Sequence, residues 1–336
     1  MTNTGRQKNI QGLIYIEGSS QGIARKKNGK KFSYFYRGKQ IRDTKTLVRI
    51  ESLVIPPAWK NVWICPKENG HLQATGLDAA GRKQYRYHPQ WSASRNETKF
   101  HRLNSFGKAL AKIRARVKKD LSLPGLPLNK VLATVVSVMD KTGIRIGSNE
   151  YEKLYGSYGL STLKDQHVHV RGGQINFAFK GKKGIYHSIT IKNVRLAKII
   201  KQCRDIPGKE LFQYYDKDGN RHSIDSGMVN NYVKEIAGDD FTSKDFRTWS
   251  GTICALTSLK TIDCTLPKKE KVNTILDEVA KCLGNTRAVC KKYYVHPLLL
   301  ELAEKSESSS FPPVRKTTAG LNECELILLA MLRKAA

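Results

Sequence analysis

The chain has 336 residues, 40% of them hydrophobic, and its 59 lysines and arginines outnumber 29 acidic residues to leave a net charge of +30. That length is ample for two domains with separate cores. No run approaches the roughly 18 to 20 apolar residues of a membrane helix. The seven scattered cysteines contain no C-x-x-C pair, which argues against a disulfide or zinc framework and for free thiols in a reducing compartment. The polar start, MTNTGRQKNI, has no signal-peptide core, so a cytoplasmic protein is expected. The basic residues are spread along the chain and interleaved with Tyr and Phe, so the expected partner is a polyanion that the protein encloses.

In chain order, LIYIEG (Leu13 to Gly18) reads as a strand. Asn28-Gly29 between two basic runs predicts a hairpin. A helix is expected over Thr44 to Leu53, stopped by Pro56-Pro57, and strands over Val62 to Pro66 and His71 to Gly76. From about Phe100 the spacing becomes helical, with Leu103, Phe106, Leu110, Ile113 and Val117 at intervals of three and four. The change predicts a boundary near residues 89 to 99, with a β-rich domain over 1–91 and a mainly α-helical domain over 92–336. A further helix is expected over Asn129 to Lys141. A β insertion of three alternating runs follows, punctuated by Gly172-Gly173 and by Gly181 to Gly184. Helices resume near Val194, Ser226, Asp245 and Lys271, and Ser306 to Thr318 reads as a loop before a last helix over Leu321 to Lys334. The fold class is α+β.

A basic protein that cuts a polyanion needs either carboxylates that hold metal or a side-chain nucleophile ringed by cations. The carboxylates do not cluster: Asp239-Asp240 follows a glycine and reads as a solvated turn or cap. His167 and His169, two apart on an expected strand, with His187 on its neighbour, form the one alternative metal set. There is no G-x-x-x-x-G-K-[ST] loop for ATP. No cofactor and no metal are expected.

What remains is a series of basic residues at marked junctions. Thr142-Gly143-Ile144-Arg145-Ile146-Gly147 ends a helix. Phe179-Lys180-Gly181-Lys182 lies in the β insertion, and Lys244-Asp245-Phe246-Arg247-Thr248 opens another helix. Leu283-Gly284-Asn285-Thr286 and Lys291-Lys292-Tyr293-Tyr294-Val295-His296-Pro297 close the series. In order and spacing these boxes resemble those of the type IB DNA topoisomerases of the small poxvirus and bacterial kind, whose catalytic fold is shared with the tyrosine recombinases.

The resemblance implies an ATP-independent isomerase that nicks one strand of double-stranded DNA, relaxes supercoils and reseals the strand. It implies Tyr294 as nucleophile through a 3′-phosphotyrosine, Arg145 and Arg247 as a phosphate clamp, Asn285 as a further donor and Lys182 as general acid to the leaving 5′-oxygen. Those residue types suit the roles. Arginine stays charged and offers a planar fork to two oxygens, and a flexible lysine can deliver a proton. Poxviral members carry histidine where this chain has Asn285, and bacterial-type relatives carry asparagine, which cannot titrate. Asn285 and Tyr294 are nine residues apart, which at about 100° per residue puts them on opposite sides of a continuous helix. A break after Gly284 is therefore expected, with Tyr294 at or beyond the end of the next short helix. Tyr293 is the rival nucleophile, and His296 reads as a helix cap.

Gly81-Arg82-Lys83-Gln84-Tyr85-Arg86-Tyr87-His88 resembles the strand by which the small enzymes read the major groove. Arg82 would pair with a guanine edge and Gln84 with an adenine, while Tyr85 and Tyr87 touch backbone or base faces. Tyr151 and Lys244 are further DNA contacts. Ser148 departs from the lysine of the poxviral enzymes, which leaves the cleavage-site preference open. The two domains are expected to grip a duplex as a clamp. A monomer is expected, DNA-associated in a bacterial cytoplasm or, for a viral chain, in the virion or host cytosol. Two alternatives carry different signatures. A tyrosine recombinase would have His-x-x-Arg where Lys244-x-x-Arg247 stands and a helical N-terminal domain, and a basic coating protein would bind with steep salt dependence and never cut.

Overall fold

A computed structural model describes residues 12–16, 21–29, 31–79, 81, 83–305, 311–313 and 318–334, with the side chains of 94–99 and 101 outside the description. The chain divides into two compact units, Met1–Lys99 and Phe100–Ala336.

The first unit is a six-stranded antiparallel sheet with one helix. In chain order its elements are β1 (Ile23–Asn28), β2 (Lys31–Tyr36), β3 (Lys39–Gln40), α1 (Thr44–Ser52), β4 (Lys60–Ile64), β5 (Leu72–Leu77) and β6 (Lys83–Tyr87), and the strand order is β3-β2-β1-β4-β5-β6. The Asn28-Gly29 turn closes β1 on β2, pairing Asn28 with Lys31. Asp43 caps α1 by accepting from the Thr46 N–H at 2.8 Å. Ile23, Ile50, Val62, Ile64 and Ala74 form the buried core between helix and sheet. Arg49 binds α1 to the sheet by donating to Gln73 Oε1 at 2.9 Å and to the Cys65 carbonyl at 2.7 Å.

The strand expected over Leu13 to Gly18 is absent among the described residues. Ile14 makes an isolated bridge to Gly70, just ahead of β5, and Glu17 and Gly18 lie outside the described residues. β6 is left as a sheet edge.

α2 (Pro89–Asp120) starts with proline in its first turn, eleven residues before the apolar spacing that announces it at Phe100, and the division between the units falls inside it. The polar stretch WSASRNETK carries no apolar period, so the helix is silent there. The second unit continues with α3 (Leu128–Thr142), α4 (Asn149–Tyr155), then β7 (Val168–Arg171), β8 (Gln174–Lys180) and β9 (Tyr186–Lys192), which form a three-stranded antiparallel sheet. After α5 (Val194–Arg204) comes a short hairpin that the sequence reading did not anticipate, β10 (Gln213–Tyr215) with β11 (Arg221–Ser223). Strands of three largely polar residues give no alternation to read. The remaining helices are α6 (Ser226–Ala237), α7 (Ser243–Thr261), α8 (Lys268–Leu283), α9 (Arg287–Tyr293), α10 (Pro297–Glu304) and α11 (Glu323–Lys334). The expectation of a β-rich N-terminal part and a mainly helical remainder with a small β insertion is met.

α7 runs through the core of this unit. Phe246 and Trp249 on α7 lie edge-on to Phe106 of α2, and all three are essentially buried. α11 docks on the same helix through Glu325, whose carboxylate accepts from Trp249 Nε1 at 3.0 Å and is paired bidentately with Arg114 at 2.8 Å. Burying that network fixes α7, and with it every side chain α7 presents to the site.

Candidate active site

Two helix ends and one hairpin tip converge beside α7. α3 stops where Gly143 turns left-handed and returns its N–H to the Met139 carbonyl at 2.9 Å. The chain then runs with the carbonyls of Arg145 and Ile146 accepting from Leu160 and Ser161 at 2.9 and 2.7 Å, so Arg145 leaves a pinned backbone. α8 stops in the same way at Gly284, whose φ of 59° is the conformation a side chain resists. Asn285 is thereby thrown off the α8 axis. Thr286 caps α9, and Tyr294 stands at its C-terminal end with its N–H on the Cys290 carbonyl at 2.9 Å. The break required by helix geometry is present.

Arg145 Nη2 donates to Asn285 Oδ1 at 2.7 Å. Arg247, only 5% exposed, donates through Nη1 to the Gly143 carbonyl and through Nη2 to the Leu283 carbonyl at 2.9 Å. Its cation thus sits at the negative ends of α3 and α8 together. Its Nε is buried without a hydrogen bond of normal geometry among the described residues, while the guanidinium as a whole is within side-chain hydrogen-bonding reach of Tyr294. The guanidinium lies 5.2 Å from the centre of the Tyr294 ring. Gly251, one turn along α7, admits that tyrosine: a Cβ there would come within 2.8 Å of its carbonyl oxygen and 3.0 Å of its Cβ. Thr252 Oγ1 donates to the same carbonyl at 3.1 Å.

Lys182 occupies the tip of the β8–β9 hairpin, where Gly181 N–H meets the Ile185 carbonyl at 2.7 Å and Lys183 is left-handed at φ 65°. Its ammonium lies 5.6 Å from the Tyr151 ring centre. The residue as a whole is exposed, yet the protein around its ammonium and then the Arg145 charge push its pKa below the ordinary lysine value, with Lys183 and Lys244 adding to the effect and Tyr294 opposing it. Burial and then Arg145 lower the Arg247 pKa as well, again opposed by Tyr294. Among the described residues none of Arg145, Lys182 and Arg247 enters an ion pair. Three cations crowded together without a carboxylate are costly unless an anion joins them, and a phosphodiester has the charge and the oxygens to do so.

The model of the eukaryotic DNA topoisomerase I catalytic core matches residues 88–310, and that of the bacterial DNA topoisomerase IB N-terminal domain matches residues 31–78. The chain belongs to the type IB DNA topoisomerase family. It is 34% identical over 297 residues to DNA topoisomerase 1B of Acanthamoeba polyphaga mimivirus, covering 85% of this chain and 88% of that one. Its identity to DNA topoisomerase 1B of Vaccinia virus (strain Copenhagen) is 24% over 248 residues, covering 72% and 75%. A solved structure of the XerH site-specific recombinase bound to difH aligns at a TM-score of 0.37 and 17% identity over 59% of this chain and 52% of that one, a likeness too slight to bear on function.

Within this topoisomerase, the boxes read from the sequence are drawn together: Arg145, Lys182, Arg247 and Asn285 come from four separate segments. Lys244 is exposed on the first turn of α7, close enough to Lys182 for its charge to be felt. Tyr293 is 39% exposed, with the Lys292 ammonium 5.4 Å from its ring centre. His296 caps α10, its Nδ1 accepting from the Leu298 N–H at 3.2 Å.

In the first unit, Arg82 lies outside the described residues. Alternation along β6 gives Gln84 and Arg86 one face and Lys83, Tyr85 and Tyr87 the other, and the two tyrosine rings stack at 6.0 Å. Gln84 and the tyrosines therefore lie on opposite faces of β6. Gln84 also donates to Asp78 Oδ2 at 2.9 Å, and Arg86 to the Val54 carbonyl at 2.7 Å.

The histidine set weighed as a metal site does not gather. His167 closes a short 3-10 turn ahead of β7, its Nδ1 accepting from the Lys164 N–H at 3.0 Å, and no group of three His, Cys, Asp or Glu suited to a metal occurs among the described residues. His187 instead lines one pocket with Arg145, Lys182 and Arg247. The sequence reading weighed His187 only as a metal ligand, and it did not single out Gly251. The signal was available: a hairpin turned at Gly181 to Ile185 sets residue 187 opposite Phe179.

Proposed function

We propose that Tyr294 is the nucleophile by which this topoisomerase opens one strand of double-stranded DNA. The tyrosine oxygen attacks the scissile phosphorus and loses its proton as a 3′-phosphotyrosyl bond forms and the bond to the 5′-oxygen breaks. Lys182 gives that oxygen its proton. Arg145 and Arg247 hold the non-bridging oxygens, with the Asn285 amide as a further donor. Such positioning is most of what phosphoryl transfer asks of a protein.

One phosphodiester replaces another, so the energy of the bond is kept and the reverse attack by the 5′-hydroxyl reseals the strand without ATP. Between the two steps the DNA beyond the nick rotates, and supercoils of either sign relax. The protein works as a monomer, with 1–91 and 92–336 as its DNA-holding and catalytic domains and β6 touching the duplex through Tyr85 and Tyr87. Tyr151 and Lys244 carry the DNA contact on toward the Lys182 hairpin. It acts where cytoplasmic DNA is found. No described helix is long and apolar enough to cross a membrane.

The observation that carries the reading is the placement of Tyr294 against Arg247, beside Arg145 and Lys182, which enter no ion pair among the described residues. The test is relaxation of supercoiled plasmid with EDTA present and ATP absent. Wild type and Tyr293→Phe are expected to relax it and to leave a denaturant-trapped adduct on the 3′ side of the nick, and Tyr294→Phe to do neither. Relaxation by Tyr294→Phe would move the nucleophile.

A further inference from the structure

His187 is seated between the two segments that deliver the proton donor and the neutral amide. On β9 it pairs with Phe179 of β8, and its ring stacks on the Phe179 ring at 5.2 Å and 25°. A Cβ on Gly181, the residue before Lys182, would lie 2.6 Å from its Cδ2 and 2.7 Å from its Nε2. A Cβ on Gly284, the residue before Asn285, would overlap its Cε1 and lie 3.1 Å from its Nδ1. The last residue ahead of each functional side chain is thus a glycine, and both glycines lie against one imidazole. Van der Waals contact on both ring edges and one face leaves little room for the ring to move.

We infer that His187 is a positioning residue for strand cleavage: its ring is the wedge that holds the Lys182 hairpin tip against the Gly284-Asn285 corner, and so keeps the Lys182 ammonium at the leaving oxygen. The inference rests on the proposed role of Lys182. The ring does this work neutral. Burial first, then the Arg145 and Arg247 charges, hold its pKa below the ordinary histidine value, so it adds no fourth cation to the site. Lysine on a hairpin tip is a long, flexible donor, and its side chain reaches the scissile bond only from where the tip is held. A ring that registers the tip against the α8–α9 corner supplies that constraint, since the Asn285 amide at the same corner already grips Arg145.

The test uses DNA in which the leaving 5′-oxygen is replaced by sulfur. A thiolate departs without a proton, so a defect that acts through the proton donor disappears on that substrate, whereas a defect in the clamp, the nucleophile or the fold persists. His187→Ala is expected to slow single-turnover cleavage of ordinary DNA about a hundredfold, the scale of a misplaced catalytic group, and to cleave the sulfur substrate at close to the wild-type rate. Gly181→Ala keeps the ring but displaces it, at a backbone conformation (φ −93°) that alanine accepts, and is expected to show the same pattern.

Lys182→Ala is the control. If it too is restored by sulfur while His187→Ala and Gly181→Ala are equally slow on both substrates, or are not slowed at all, His187 has no positioning role and the inference is overturned. If Lys182→Ala is not restored, it is the assignment of Lys182 as proton donor that falls. Thermal unfolding of each variant, followed alongside, separates misfolding, which would abolish cleavage of both substrates.

Discussion

Arg145 Nη2 donates to Asn285 Oδ1 at 2.7 Å, joining residues 140 positions apart and making the amide oxygen an anchor for the arginine rather than a free acceptor. Asn285 Nδ2 is meanwhile 3.4 Å from the Leu283 carbonyl, a weak bond that a phosphate oxygen could outbid. The amide therefore has two jobs, and substitutions separate them. Asn285→Ala frees Arg145 and removes one donor, and is expected to slow cleavage roughly 10- to 100-fold, in line with losing one positioned hydrogen bond to a developing charge. Asn285→Asp keeps the anchor but sets a carboxylate against Arg145 and the phosphate, and is expected to be slower than Asn285→Ala. Single-turnover cleavage of a suicide duplex gives the order. An aspartate variant faster than the alanine variant would show that anchoring Arg145 outweighs charge.

Gly251 makes a second case in which stability and activity part company. It lies within α7, where alanine is ordinarily favoured over glycine by about 1 kcal/mol, yet its Cβ would press on the Tyr294 carbonyl oxygen at 2.8 Å and on the Tyr294 Cβ at 3.0 Å. Gly251→Ala is expected to leave thermal stability within a few degrees of wild type while cutting the cleavage rate about 100-fold, because a displacement near 1 Å at the nucleophile is that costly. Circular dichroism melting with a cleavage assay checks both halves. Full cleavage activity would mean that α9 can retreat without moving the hydroxyl.

The proposed role of Lys182 as proton donor predicts the alkaline behaviour. The lysine's pKa is lowered from 10.5 by the protein around its ammonium and by Arg145, so the protonated form that donates to the leaving oxygen is lost at a lower pH than for a free lysine. Rates on ordinary DNA, divided by rates on the sulfur-substituted substrate at each pH, are expected to fall with a midpoint below 10.5, since the ratio cancels the titration of Tyr294. A ratio flat up to that pH would place the proton donor elsewhere.

The parts of this molecule written locally were legible before any coordinates. Asn28-Gly29 announced its hairpin and Pro56 the end of α1. The nine-residue interval from Asn285 to Tyr294 demanded a break that Gly284 supplies. Contacts across long stretches of chain were not: nothing near Asn285 indicates that its oxygen faces Arg145, and nothing near His187 indicates Gly284. α2 was called late because helix periodicity is written in apolar residues, and its first turns carry few. The sidedness of β6 was legible as well. Strict alternation along the strand separates Gln84 from Tyr85 and Tyr87.

Glu325 on α11 carries the last prediction, because this helix lies beyond the residues matched by the catalytic-core model yet braces α7. The carboxylate is 2% exposed, bonded to Arg114 and Trp249, and accepts from the Asn322 N–H at 2.9 Å. Burial alone would raise its pKa, but Arg114, Trp249 and the Asn322 N–H together bring it below the ordinary 4.5. A group lowered on folding stabilises the fold above its unfolded pKa, and that contribution is lost as the pH falls through the lower folded value. Glu325→Ala is expected to cost about 3 kcal/mol at neutral pH, as removing one partner of a buried pair does, with Arg114 keeping Asp140 at 2.8 Å. The stability gap between wild type and Glu325→Gln is expected to be constant above pH 4.5 and to narrow below it, read from denaturant midpoints across the range. Because Trp249 follows Arg247 by two residues on α7, the Glu325→Ala enzyme is also expected to cleave more slowly at temperatures where it remains folded. A variant that melts earlier but cleaves at the wild-type rate would limit α11 to stability.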